Sequence, residues 1–234
     1  MLWWYALLSI ADVLSLWFQW PALHAVLKPL LMPMLAIAYL WHCRSRVQHP
    51  DNLLLVTLGL AWTGDILLLF APRYPGFFLG GLAAFLLMQC AYAWLFFAHA
   101  PRSNHKIIRL GIIAFAILDL VTILMVYLWP ALDGMRLPVV VYALAISLML
   151  FAACYNGLNR STRHHFSGMG MLGAALFVLS DSVLAIQHFK PVCAAATGDV
   201  LVMGTYTAAQ ALILFHLSQP GGARFPKQRN KPGA

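Results

Sequence analysis

The chain has 234 residues, 62% of them hydrophobic and only 9% charged, with a mean hydropathy of +0.79, whereas about a quarter of the residues of a soluble domain are charged. This excludes a soluble globular enzyme, and the lack of short period-2 alternation excludes a barrel, which leaves an all-α polytopic membrane helix bundle. The net charge of +8 reads as Lys and Arg retained in cytoplasmic loops, not as an affinity for nucleic acid.

Eight spans are expected, at about 2–18, 22–41, 53–70, 77–97, 108–129, 137–155, 167–188 and 198–217, each close to the roughly 20 residues that cross hydrocarbon. Short connections carrying Pro, Gly, Asn or charge separate them. Residues 1–218 read as one eight-helix domain and 219–234 as a disordered, basic cytoplasmic tail. Arg44, Arg46, Arg102, Lys106, Arg109, Arg160, Arg163 and the tail cations fall on one side of the membrane. Only Arg73, Arg136 and Lys190 fall on the other. The positive-inside rule then puts both termini in the cytoplasm, with a bacterial inner (plasma) membrane as the expected location. The N-terminus, MLWWYALLSIADV, has no basic leader and reads as a retained helix. Cys43, Cys90, Cys154 and Cys193 lie far apart without CxxC spacing and read as free thiols.

In chain order, span 1 aligns Tyr5, Leu8, Asp12, Ser15 and Gln19 on one face, a polar stripe expected to face inward. Span 2 carries His24 and Lys28 one turn apart, then Pro29 and Pro33, which should kink the helix and free backbone carbonyls. Lys28 either snorkels outward or pairs with a buried carboxylate. Span 3, GLAWTGDILLLF, sets Asp65 well inside an apolar run. A charged Asp near mid-membrane costs about 2.5–3.5 kcal/mol on insertion scales, so such a residue faces the bundle interior and marks function. Span 4 places Gln89 and Tyr92 near one face. Span 5 holds Asp119 without an evident constellation. Span 6 offers Tyr142 on a Met/Ala face. Span 7, GAALFVLSDSVLAI, repeats the small-residue–Asp pattern at Asp181, and span 8 aligns Asp199, Met203, Tyr206 and Gln210.

Topology and periodicity together put Asp12, Lys28, Asp65, Gln89, Asp181 and Tyr206 at broadly similar depth on inward faces. Two desolvated carboxyls near one another do not easily both ionise. One holding a proton and one charged is the division needed for general acid and general base. A nucleophilic serine has no support, since GxSxG is missing. A metal set of Asp65, Asp181, His24 and His188 can be drawn, but the spacing does not demand it.

These residues resemble the YhhN-type transmembrane lysoplasmalogenase family. The likeness runs from about Leu27 to Leu214. It rests on KP at Lys28–Pro29, GD at Gly64–Asp65, GLAAF from Gly81, Tyr92, YALAISLML from Tyr142, GAALFVLSDSVLA from Gly173, and Tyr206 to Gln210 in Y-x-x-x-Q spacing. Where the family is expected to carry His before the span 4 Tyr, this chain has Gln89, which does not titrate near neutral pH. The resemblance implies hydrolysis of the vinyl-ether bond of lysoplasmenyl-ethanolamine or -choline to a fatty aldehyde and a glycerophospho-alcohol. Asp65 and Asp181 would be the catalytic pair, acid and base in either order. Lys28, Asp12, Gln89, Tyr92, Tyr142, Tyr206 and Gln210 would be the supporting or substrate-binding residues. No metal or organic cofactor is required, and the expected partners are the lysophospholipid and membrane lipids. The rival readings are a non-enzymatic lysolipid transporter or receptor, and a proton-coupled carrier using the same aspartates.

Overall fold

A computed structural model describes residues 2–47, 49–100, 107–159, 167–192 and 194–219. The basic tail from 220 onward and the loop cations Arg102, Lys106, Arg160 and Arg163 lie outside the described residues. Eight α-helices follow one another: α1 Leu2–Trp17, α2 Pro21–Ser45, α3 Asn52–Phe70, α4 Gly76–Ala98, α5 Ile107–Leu128, α6 Arg136–Asn159, α7 Ser167–Phe189 and α8 Ala195–Leu217. Two short 3-10 turns, Trp129–Ala131 and Asp133–Met135, join α5 to α6. Each helix starts or stops within a few residues of its expected span. Seven are long and apolar enough to cross a membrane, while α1 is shorter, and its 16 residues span about 24 Å at 1.5 Å each.

Local chemistry explains the boundaries. Pro21 stands at the start of α2, where its missing N–H costs nothing. The Asp51 side chain caps α3 by accepting from the Leu53 amide at 2.9 Å. α1 ends at a left-handed residue, Gln19 (φ 57°), with the Trp20 amide folding back to the Ser15 carbonyl at 2.7 Å. That turn ends the inward stripe of α1: Tyr5, Asp12 and Ser15 are buried, but Gln19 is exposed.

The packing is a ring. α1 touches α2, α2 touches α3, α3 touches α4, α4 touches α6, α6 touches α7, α7 touches α8, and α8 returns to α1. α5 stands outside, mainly against α6. Large apolar side chains such as Trp94, Phe115 and Leu201 cover the outer surface, while Tyr92, Phe96, Phe177, Met88 and Met149 fill the interior. Asp119 is exposed on α5, outside the ring, which is why no inward constellation includes it.

Two features close the helices on each other. Pro33 cannot donate to the carbonyl four residues before it. That carbonyl, on Pro29, instead accepts from the Trp62 indole at 2.9 Å, so α3 satisfies what the proline frees in α2. Gly173 lets α7 lie against the α8 backbone: a Cβ there would sit 2.9 Å from Ile213 Cγ1, 3.1 Å from the Ile213 nitrogen and 3.1 Å from the Ala209 oxygen. Gly59 of α3 has open space instead. Gly173→Val should therefore lower the melting temperature in detergent, by about 1–3 kcal/mol of overpacking. Gly59→Ala should leave it unchanged or slightly higher, through helix propensity.

Candidate active site: two tyrosine-bound aspartates inside the ring

Asp65 lies five residues before the end of α3 and Asp181 eight before the end of α7, about 8 and 12 Å from the same end of the bundle. That end also carries the α1–α2 and α5–α6 turns. Asp65 is 2% exposed, and its Oδ2 accepts from the Tyr206 hydroxyl of α8 at 2.8 Å. The Phe85 and Phe177 rings meet the Tyr206 ring edge-on, at 6.0 and 5.5 Å between centroids, an arrangement that aromatic quadrupoles favour. Gly64 makes room for it, since a Cβ there would lie 2.8 Å from the Phe85 ring. The small residue before Asp65 thus sets the ring that holds Asp65's hydrogen-bond donor.

Asp181 accepts a short hydrogen bond on Oδ2 from the Tyr142 hydroxyl of α6. Each carboxyl therefore has one phenol: that of Asp65 comes from α8, 141 residues on, and that of Asp181 from the preceding helix α6. Asp181 lies within electrostatic reach of Asp65. Asp65 also feels Lys28, Asp12 and His24. Asp181 and Tyr142 form the wall between two cavities of about 50 Å³ each. One lies inside the ring, among Leu68, Leu82, Phe85 and Leu184, and ends at Phe78 and Phe189. The other lies between α6, α7 and the outlying α5. His188 stacks flat on Phe78, at 3.8 Å and 2°.

The remaining sequence candidates divide. Tyr92 and Gln210 are both fully buried and bound to one another: the Tyr92 hydroxyl donates to Gln210 Oε1 at 2.7 Å. Gln210 Nε2 faces Met88 Sδ at 3.5 Å, so both ends of this amide are occupied. Gln89 is also fully buried, with the Tyr142 hydroxyl beside its amide. Asp12 is fully buried, with Oδ1 bound to His24 Nδ1 at 2.8 Å and Oδ2 unpaired. Among the described residues, the ion pairs within 4.0 Å are His24–Asp12 and His99–Asp51. Lys28 therefore acts on Asp65 from a distance and does not touch it. Asp199 is exposed near the start of α8, within electrostatic reach of His24 and Lys28.

Three participants carry little signal in the sequence. His24 is Asp12's direct partner, whereas the sequence sets it only beside Lys28 and in a metal set that can be drawn. Phe85 and Phe177 look like ordinary core residues. Of the metal set that could be drawn, His24 is held by Asp12 and His188 by Phe78.

Comparison with known proteins gives these residues a context. The YhhN family model matches residues 23–217. Human lysoplasmalogenase TMEM86B is 31% identical over 187 residues, covering 78% of this chain and 70% of the human protein. The pig protein of the same name is 32% identical over 146 residues, covering 62% of this chain and 56% of the pig protein. A protein of Mycobacterium tuberculosis named lysoplasmalogenase is 30% identical over 198 residues, covering 81% of this chain and 70% of its own length. No solved structure matches.

The Asp12–His24 pair can be tested for its structural weight. His24→Leu leaves a buried carboxyl with no partner and should cost about 1–3 kcal/mol in thermal unfolding. Asp12→Leu combined with His24→Leu should recover most of that loss, because both polar groups are then gone. Equal destabilisation in the single and double variants would show that the pair does not couple.

Proposed function

Because the chain belongs to the YhhN family, we propose that it is an integral-membrane hydrolase that cleaves the vinyl-ether bond of lysoplasmalogens, releasing a fatty aldehyde and a glycerophospho-alcohol. Relatives named lysoplasmalogenase support an enzyme of this type. The observation that carries the mechanism is the pair of intramembrane carboxyls, each bound by a tyrosine, beside a cavity that one of them lines.

Vinyl-ether hydrolysis starts with protonation of the alkene carbon remote from oxygen, which leaves an oxocarbenium ion. In our reading Asp181 is the acid, because it faces both cavities while Asp65 is sealed behind Tyr206. The Asp65 carboxylate, with the Lys28 charge in reach, steadies the cation and receives the Tyr206 hydroxyl proton as that hydroxyl takes a proton from the water that adds to the oxygen-bearing carbon. The resulting hemiacetal collapses as its glycerol oxygen regains a proton and the C–O bond breaks. The net change is addition of one water, with no redox step. The charge problem is that of glycoside hydrolysis, where paired carboxyls divide the same roles. The alkenyl chain would lie between helices, and the positive-inside count would put the head group at the non-cytoplasmic end.

Two variants test the reading in detergent, where a transporter has nothing to move across. Aldehyde release from lysoplasmenyl-ethanolamine should fall by about 10²–10⁴ in Asp181→Asn and in Asp65→Asn, with folding retained. Tyr142→Phe should fall less, because the carboxyl itself remains. Full rate in both Asn variants would sink the acid–base assignment, and an inert wild type would favour lipid binding or transport.

A further inference from the structure

Asp181 is lined by a cavity on each side, and the two run differently. The cavity inside the ring extends from Phe78 and Phe189, at the helix ends, down to Phe85 and Asp181. A chain lying in it would point back toward those ends. The cavity between α5, α6 and α7 starts at Leu128 and continues past Asp181. Its deepest lining residues, Ile146 and Val178, lie four residues after Tyr142 and three before Asp181. At 1.5 Å per residue they are about 6 and 4.5 Å deeper in the bundle. Its polar side chains are Tyr142, Asp181 and Ser182, and the Ser182 hydroxyl is already bound to the Val178 carbonyl at 2.7 Å. All its other lining side chains are apolar.

The outer wall of this cavity is α5, and that helix is lightly held. In six of the membrane spans 28–50% of the apolar stretch is buried, against 6% in Ile108–Ala131, which is α5 with the turn after it. None of residues 108–127 is buried, whereas Leu128 is, packed with Leu132 and Val139. Two cations hold the same end: Lys190 Nζ lies 4.1 Å from the Tyr127 ring and the Arg136 guanidinium 5.0 Å from the Trp129 ring. α5 is thus pinned where the head group would lie and loosely packed below. The pinned end also presents the charges that suit a phosphate. Lipid tails are as apolar as leucine, so an alkyl chain can replace the contacts α5 gives up if it swings away.

Building on the hydrolase reading, we propose that the cavity between α5, α6 and α7 seats the hydrocarbon of the alkenyl chain, and that the lipid enters it sideways from the bilayer, between α5 and α7. The vinyl ether then lies at the depth of Tyr142 and Asp181, with its head group toward the helix ends and its chain running deeper past Ile146 and Val178. At about 50 Å³ the cavity takes the first carbons of the chain, and the rest lies along α5 toward lipid. The aldehyde keeps that chain and returns to the bilayer by the same cleft, while the glycerophospho-alcohol leaves at the helix ends.

The test uses the purified protein in detergent and two lysolipids that share head group and vinyl ether, one with a hexadecenyl and one with a propenyl chain. Wild type should favour the long chain. Val121→Phe, which fills the cavity from α5, should cut the long-to-short ratio of kcat/KM by about 10-fold or more, because the displaced methylenes lose their apolar burial. Leu82→Phe, which narrows the cavity inside the ring, should leave that ratio unchanged. In parallel, a saturated hexadecyl ether lysolipid carrying a diazirine on its chain should label wild type on α5 between Leu120 and Leu128 and on the facing Ile146 and Val178. An unchanged ratio in folded Val121→Phe overturns the proposal. Label on Leu82 and Leu184, or spread evenly around the bundle, also overturns it, and decides the matter alone if Val121→Phe does not fold. In each case aldehyde release by wild type leaves the hydrolase reading standing. If wild type releases aldehyde from neither lipid, the hydrolase reading falls and this inference with it.

Discussion

A carboxyl placed in hydrocarbon must find a hydrogen-bond donor inside the protein, because no water is at hand. That requirement organises this molecule. Asp65 takes its donor from α8 and Asp181 from α6, while Asp12 binds α2 through His24. The Asp65 bond crosses the ring from α3 to α8, and the other two tie neighbouring helices together. Polar groups are thus the cross-links of the interior, and apolar surface faces lipid, the reverse of a soluble domain. Lipid tails are as apolar as leucine, so side-chain burial alone cannot choose this ring over looser packings. Close backbone approach at Gly173 and the tyrosine–carboxyl bonds supply that choice.

The same bonds hold the groups to which the proposed chemistry is assigned. Tyr206 is gripped by two aromatic edges and in turn fixes the Asp65 carboxyl. Gly64 admits one of those edges. Asp181 has the same kind of donor but stands at the wall of two cavities. Similar residues in unlike surroundings are what a proton donor and a charge-stabilising carboxylate need.

Much of this is legible in the sequence. Long apolar runs broken by Pro, Gly and charge locate the helices to within a few residues. A carboxylate inside such a run is enough to mark Asp65 and Asp181. Partner identity is harder to read. Periodicity gives the phase of a residue around its own helix, but not the rotation of the neighbouring helix against it. Tyr142 reads as packing from its Met/Ala face, yet its hydroxyl meets Asp181. Lys28 is the apparent mate for a carboxylate, whereas Asp12 bonds His24, one turn away on the same helix. Gln19 follows the stripe of α1 by arithmetic, but the helix has already ended in a left-handed turn. Gln89 and Gln210 are alike as letters, and only the fold puts one beside Tyr142 and the other between Tyr92 and Met88.

The closed ring also sets an order for biogenesis. Tyr206 follows Asp65 by 141 residues, so at 5–20 residues per second of synthesis the carboxyl waits on the order of 7–28 s for its donor. During that interval α3 is in or near the membrane with an unsatisfied acid, and α1 has an open flank where α8 will dock. The last helix made is the one that seals the bundle. A ribosome that stops before α8 leaves an unfinished wall and orphans Asp65 together with the hydroxyls of Tyr5 and Tyr92, buried polar groups that mark the unfinished chain off from the finished protein.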